Sequence, residues 1–311
     1  MRKRILTVGR ADMNIVMKVG SIPSANQVTE GVNYNYAPGG SGSVAAVSFA
    51  KLSADSVFCA RVGDDENGVR LIKYYSDCGV DTRFITRDQG IETGFSAVIV
   101  EGGDNKRAIY YPGANKRFGR EDLENGFMCY PDALFLQFEL PDRECVAATR
   151  LAKRQDIPVF IDAGPNRFEL PLELLENVEI FSPNEEEAYH YTGVYPSDPE
   201  KCLKVCMVLA SKINAKYIVL KLGRKGCFIY DGRYYNVVPA YDTTFIDGTA
   251  AGDVFSAALT TEYLRHGDIK AACEFANLAG AIAVSREGSY NAVPTRDDVE
   301  KFADSIGVNL I

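Results

Sequence analysis

The chain opens on a short apolar run, Ile5 to Val8, stopped by Gly9, which reads as a buried strand. Met13–Val19 and Gly31–Tyr36 follow as strands, separated by the turn-rich Ser21-Ile22-Pro23-Ser24. In the second, Tyr34 and Tyr36 alternate with Asn33 and Asn35, the period of a strand with one wetter face. A helix from about Val44 to Leu52, a strand at Val57–Arg61 and a helix around Gly68–Cys78 predict a β–α–β–α run. Arg83–Thr86, Gly94–Glu101 and Ala108–Tyr111 read as antiparallel strands, with a Gly102-Gly103-Asp104-Asn105 turn between the last two. From Ala133 the rhythm is regular. Strands at Ala133–Phe138, Pro158–Asp162, Val178–Phe181 and Tyr217–Leu220 are separated by helices at Asp142–Gln155, Asn184–Tyr191 and Glu200–Ile213. A hairpin (Gly226–Tyr230, Arg233–Val237) and two long helices, Ala251–Arg265 and Ile269–Val284, end the pattern. Such alternation predicts an α/β fold: a doubly wound, mostly parallel sheet flanked by helices. The patches near 13–36 and 94–111 fall outside that rhythm and are expected to pair as a small antiparallel sheet beside it.

At 311 residues with 46% apolar content, there is enough material for one large α/β core. The net charge is −8 and no long basic run exists beyond Arg2-Lys3-Arg4, which argues against a nucleic-acid partner. No apolar stretch is long enough to span a membrane, and Met1–Gly9 is too short for a signal peptide. None of the 8 cysteines forms Cys-x-x-Cys, and most lie inside apolar runs, so they read as reduced core thiols of a cytoplasmic protein. Cys202 and Cys206 share a helix face without a histidine nearby, which makes a poor metal site. With 2 histidines in the chain, His–His zinc motifs and most serine triads drop out.

The stretch Asp247-Gly248-Thr249-Ala250-Ala251-Gly252-Asp253 carries the candidate chemistry. It leads into a helix closed by Arg265-His266-Gly267, so its small residues sit at a helix N-terminus. Orphaned N–H groups and the positive end of the dipole make an anion site there. Asp253 falls on the first turn, facing what binds; this suits phosphoryl transfer, where positioning and charge stabilisation dominate. The bland alternative is an acidic residue favourably placed near a helix start. Gly40-Ser41-Gly42-Ser43-Val44-Ala45 fits the loose dinucleotide pattern, but the polar, proline-broken segment before it is not the buried strand that pattern needs. No phosphate-binding loop of the G-x-x-x-x-G-K-[ST] type is present.

The chain resembles the ribokinase-like (PfkB) family of carbohydrate kinases from about Ile5 to Val293. The Gly39-Gly40-Ser41-Gly42 loop resembles the family's first signature and Asp247–Asp253 its second. Arg61-Val62-Gly63-Asp64-Asp65, Gly113-Ala114-Asn115, Gln137-Phe138-Glu139, Pro183-Asn184-Glu185-Glu186-Glu187, Lys221-Leu222-Gly223-Arg224-Lys225-Gly226 and Ala281–Gly288 follow in family order. The resemblance implies one kinase domain over 1–311, with a β lid formed by about 13–37 and 94–112. It implies ATP as phosphoryl donor, a small sugar as acceptor and Asp253 as general base. Ala250, Ala251 and Gly252 would supply a backbone anion hole. Asp12, Asn14, Gly39, Gly40, Gly42 and Glu139 would hold the sugar. Asn184, Lys221, Gly223, Gly226 and Asn277 would hold the nucleotide, with Glu187 holding Mg²⁺ through water. Asp247, Thr249, Ala283, Arg286 and Gly288 match a loop for a monovalent cation such as K⁺. Lid strands with open edges suggest a homodimer.

Several positions depart from the family pattern. Gly248 replaces a usual Thr. Val44 stands where an Asn commonly contacts sugar hydroxyls, and Ala292 replaces a side chain that supports the cation site. Asp12 and Asn14 look exchanged relative to ribokinase, which makes Asp12 the carboxylate that grips a diol. Two other functions stay open: a nucleoside kinase of the same fold, with Tyr34, Tyr36, Tyr110 and Tyr111 stacking on a base, and a non-catalytic sugar- or nucleotide-binding regulator.

Overall fold

The computed structural model describes residues 2–101, 105–164 and 170–310. In chain order the strands are β1 (Arg4–Val8), β2 (Asp12–Val19), β3 (Gly31–Gly39), β4 (Asp55–Gly63), β5 (Ile85–Asp88), β6 (Gly94–Glu101), β7 (Asn105–Tyr111), β8 (Ala133–Gln137), β9 (Val159–Asp162), β10 (Val178–Ser182), β11 (Ala215–Lys221), β12 (Cys227–Tyr230) and β13 (Tyr235–Val238). The helices are α1 (Ser41–Lys51), α2 (Glu66–Asp77), α3 (Arg120–Phe127), α4 (Asp142–Arg154), α5 (Glu185–Thr192), α6 (Pro199–Ala210), α7 (Ala251–His266), α8 (Ile269–Val284) and α9 (Arg296–Ser305).

The main sheet has the order β13-β12-β11-β10-β9-β8-β1-β4-β5. It is parallel except for the terminal hairpin, where β12 runs antiparallel to β11 and to β13. Its strands read as continuous apolar runs because both faces are covered. In β8, Ala133 and Phe135 enter one core while Leu134 and Leu136 enter the other. The first core packs under α1, α7 and α8, the second under α3 to α6; all 8 cysteines lie in or against these two layers. No helix among the described residues is long and apolar enough to cross a membrane.

A second sheet, β3-β2-β6-β7, joins the two predicted patches. Each outer pair is antiparallel, and the patches meet through a parallel β2–β6 pairing. The turn expected at Gly102–Asn105 lies, for 102–104, outside the described residues. One strand expectation is corrected. The run near Arg83–Thr86 is not antiparallel: β5 pairs parallel to β4 on the edge of the main sheet. It follows β4 through α2, and a crossover through a helix returns the chain in the parallel sense. Its 4 residues are too few and too polar to show this in sequence. Helices α3 and α9 also escaped the sequence reading, α3 because 8 residues span barely two turns.

Candidate active site

Five chain segments reach the carboxyl edge of the main sheet together. They are Gly9–Arg10 after β1, Gln137–Glu139 at the end of β8, Asp162 closing β9, Asn184 after β10 and Lys221 closing β11. Ligands of open parallel sheets bind at this edge. The N-terminus of α7 and the inner face of the second sheet complete the site.

Asp12 begins β2 and is 1% exposed. Its sheet partners on both sides are glycines, Gly39 and Gly94. A Cβ at Gly94 would lie 2.3 Å from the Asp12 carboxylate, and one at Gly39 would lie 2.4 Å from the Asn14 carboxamide. The two glycines therefore make room for the polar side chains of β2. Asn115 donates to Asp12 Oδ1 at 2.6 Å and is itself held by the Ala11 backbone. Burial pushes the Asp12 carboxyl up to about 7, against the pull of the Arg10 guanidinium. Arg10 lies over the Tyr110 ring, 4.3 Å from its centroid, with Nε 3.6 Å from Asp12. That is too long for a hydrogen bond, and this Nε–H is buried with no partner among the described residues.

Glu139 is 1% exposed and binds protein more than it faces a ligand. It accepts the amides of Ser41 (2.7 Å), Gly42 (2.8 Å) and Arg10 (3.2 Å), with Arg10 Nη2 at 3.5 Å. Of the glycine loop expected to hold the sugar, the Ser41 and Gly42 amides are taken by Glu139. Gly39 lies against Asn14 and Gly40 against the Arg10 carbonyl, while Val44 is buried in the α1 core.

Asp253 sits on the first turn of α7 and accepts from Gln137 Nε2 at 2.7 Å. Burial, with the nearby Asp162 carboxylate, holds its pKa well above the ordinary range; the Gln137 N–H pulls it down. The Gln137 Oε1 is buried with no partner among the described residues. Asp162 accepts from Lys221 Nζ at 2.6 Å and from Ser256 Oγ at 2.6 Å. A leucine at 137 removes the donor that favours the Asp253 carboxylate, so its pKa rises further. If Asp253 is the general base that the resemblance implies, it works ionised, and the acid limb of kcat/KM for Gln137→Leu is expected at higher pH than in wild type, with activity recovering as pH rises. An unmoved limb in the pH–rate profile contradicts this role.

The α7 amides are first-turn groups without intrahelical partners. Of the three expected in the anion hole, Ala251 donates to the Gly248 carbonyl at 3.2 Å in this state. Ala250 is the buried N-cap and Gly252 lies on the open surface. Beside Gly252 opens a cavity of about 430 Å³, lined by Lys221, Gly223, Gly226 and Asn277 together with Tyr241 and Phe245. Four of the five expected nucleotide residues therefore share one cavity. Asn277 spends its N–H groups on the Val238 and Pro239 carbonyls. Gly226 is fixed by backbone: its φ is 93° and a Cβ would lie 2.0 Å from the Val238 carbonyl. The fifth, Asn184, is the N-cap of α5 and is not in the cavity lining. With Glu187 it forms a capping box, Asn184 N to Glu187 Oε2 at 2.7 Å and Nδ2 to Oε1 at 2.9 Å. Burial raises the Glu187 pKa, and Lys221 opposes that.

In the expected cation loop, Asp247 accepts from Thr249 N at 3.0 Å and Gly288 N at 3.1 Å. The Ala283 carbonyl takes the Arg286 amide at 3.2 Å, and the Arg286 side chain pairs with Asp298. Ala292 is buried at 1% exposure.

Arg10, Asp162 and Ser256 lie among these residues but were not singled out from sequence, and Asn115 and Gln137 were quoted there only within motifs, without a role of their own. Two of them carried a readable signal, since Gln137 and Asp162 are polar residues ending buried parallel strands.

The family model for pfkB family carbohydrate kinases matches residues 2–296. The chain belongs to that family. It is an ATP-dependent carbohydrate kinase by that membership. A ribokinase of Haemophilus influenzae is 28% identical over 306 residues, covering 98% of this chain and 99% of its own. A deoxyribokinase of Salmonella typhi is 24% identical, with 98% and 99% covered. The structure of an Arabidopsis thaliana ribokinase complexed with ribose and ATP superposes with a TM-score of 0.89 at 25% identity, covering 97% of this chain and 99% of that one.

Proposed function

We propose that this carbohydrate kinase transfers the γ-phosphoryl group of ATP to a hydroxyl of a small neutral sugar, with Asp253 as general base. The observation that carries the reading is the place of Asp253. It stands on the first turn of α7, next in sequence to Gly252 of the nucleotide-sized cavity, and lies within electrostatic reach of Glu139, which also acts on Asp12. Asp253 takes the hydroxyl proton as the sugar oxygen bonds to phosphorus. The bond to the bridging oxygen breaks, and ADP leaves with that electron pair. The amides at Ala250–Gly252 face the charge that develops on the phosphoryl oxygens, where one preorganised donor contributes ~3–4 kcal/mol.

The cavity volume suits a ligand of nucleotide size. Among the described residues no three acidic, cysteine or histidine side chains converge on one metal position. A Mg²⁺ ion held by phosphates and water, with Glu187 beyond the water, fits that donor set. The Asp247 loop is the place for K⁺ in this reading, and turnover is expected to be higher in K⁺ than in choline. Asp12, Asn14 and the unpartnered Arg10 Nε and Gln137 Oε1 offer the hydrogen bonds that select a polyhydroxylated acceptor. The Arg10 charge is met by Asp12 and Glu139, which leaves no surplus cation for an acidic sugar. Relatives are named for ribose, deoxyribose and ribose-1-phosphate; the two neutral sugars lead the panel and ribose-1-phosphate is its charged comparison.

The nucleoside reading is disfavoured by the second sheet. Register places Asp12, Asn14 and Tyr110 on the face toward the site, while Tyr34, Tyr36 and Tyr111 share the opposite face. The one inward tyrosine is already stacked on Arg10. A coupled ADP-release screen of sugars and nucleosides, with and without K⁺, tests the function. Turnover on sugars supports it, turnover on nucleosides instead overturns the acceptor class, and silence across the panel returns the regulator.

In this reading residues 1–311 form one kinase unit and the second sheet is its lid. The lid's outer face carries Ile15, Met17, Tyr34, Tyr36 and Ile109, with Ile109 76% exposed. Such an apolar face suits a homodimer of lids. Ile109→Glu is expected to leave a monomer by sedimentation equilibrium where wild type is a dimer; a monomeric wild type contradicts it. The buried core thiols suit a reducing, cytoplasmic setting.

A further inference from the structure

Two lysines occupy one tier at the far end of the lid's inner face. Lys18 on β2 is level with Val100 on β6, and Val100 with Lys106 on β7. Both follow the two-residue period of the site-facing positions, Asp12 and Asn14 on β2 and Tyr110 on β7. Their ammonium groups land on different partners. Lys18 Nζ pairs with Glu287 at 2.7 Å. Lys106 Nζ donates to Thr249 Oγ1 at 2.6 Å and lies 3.5 Å from Asp247 Oδ1.

Thr249 precedes Ala250, the N-cap of α7. An ammonium group at a helix N-terminus sits at the positive end of the dipole, where a cation is unfavourable and an anion favourable. Asp247 offsets this in part, but its carboxylate also accepts two backbone amides and the Thr249 hydroxyl. A cation delivered to this helix end by a separate sheet makes electrostatic sense when an anion occupies the same end.

We propose that Lys106 is a lid-borne member of the anion hole, which turns from Thr249 to the transferring phosphoryl oxygens and stabilises their charge. It rests on the phosphoryl-transfer reading of Asp253 and α7. Lys106 keeps its proton throughout; the hydroxyl proton goes to Asp253. Charge stabilisation then depends on the lid being down, which ties phosphoryl transfer to a covered acceptor site and disfavours transfer to water. Lys18, bound to Glu287 outside the anion hole, serves as the control for a lid that is merely latched.

The test is calorimetric binding of Mg²⁺·ADP with and without aluminium fluoride, the mimic of the transferring phosphoryl group, alongside steady-state turnover. In wild type, aluminium fluoride is expected to tighten ADP binding. Lys106→Met is expected to reduce that gain by roughly ten- to hundredfold, the worth of one hydrogen bond to a charged group, with binding of ADP alone unchanged. Lys106→Arg restores most of the gain, Lys18→Met keeps it, and kcat falls in Lys106→Met more than the sugar KM rises. A wild-type gain that survives Lys106→Met, or that Lys18→Met loses equally, overturns the inference and leaves the function standing. The absence of any gain in wild type overturns both.

Discussion

Asp253→Asn is expected to lower kcat by roughly 10²- to 10⁴-fold while affinity for ADP stays near wild type. The amide keeps the size of the carboxylate and leaves the helix end intact, but it cannot take the hydroxyl proton. The change also removes a half-buried charge beside Asp162, whose carboxylate raises the Asp253 pKa after desolvation itself. The variant should therefore be no less stable than wild type. That separates loss of a base from loss of a fold. Steady-state kinetics with calorimetric ADP binding checks it, and an Asp253→Asn protein with wild-type turnover removes Asp253 from the mechanism.

The second large effect is on stability. Glu139→Ala is expected to destabilise the protein by about 3–5 kcal/mol, the usual cost of removing one partner from a buried ion pair. Three backbone amides lose their acceptor, and the Arg10 guanidinium loses one of its two carboxylates. Glu139→Gln keeps one acceptor oxygen and should fall between. Urea unfolding measures both; a change under about 1 kcal/mol for Glu139→Ala would show that the glycine loop holds itself. Glu139 was expected from family resemblance to bind sugar. Its hydrogen bonds make it a clamp that joins β1, β8 and the start of α1.

The layered sheet was legible because buried parallel strands are long apolar runs separated by periodic helices, as at Ala133–Phe138 and Pro158–Asp162. β5 was misread because direction is a property of the connection, and four mostly polar residues carry no trace of it. The α7 end was legible for a local reason: small residues and Asp253 lie within one turn. Arg10, Asp162 and Lys106 were not singled out, and Gln137 was quoted only within a motif, because each acquires its partner across the fold, Lys106 from Thr249 across 143 positions. The four lid tyrosines looked equivalent in sequence until strand register put one inward and three outward.

The central claim is that Asp253 directs a phosphoryl group from ATP to a sugar hydroxyl. Its most direct test follows γ-labelled ATP with Mg²⁺ and the sugar returned by the screen, comparing wild type with Asp253→Asn. Label on the sugar in wild type, and almost none on it in Asp253→Asn, is the expected result. Label released as inorganic phosphate, or equal transfer by both proteins, would contradict the account.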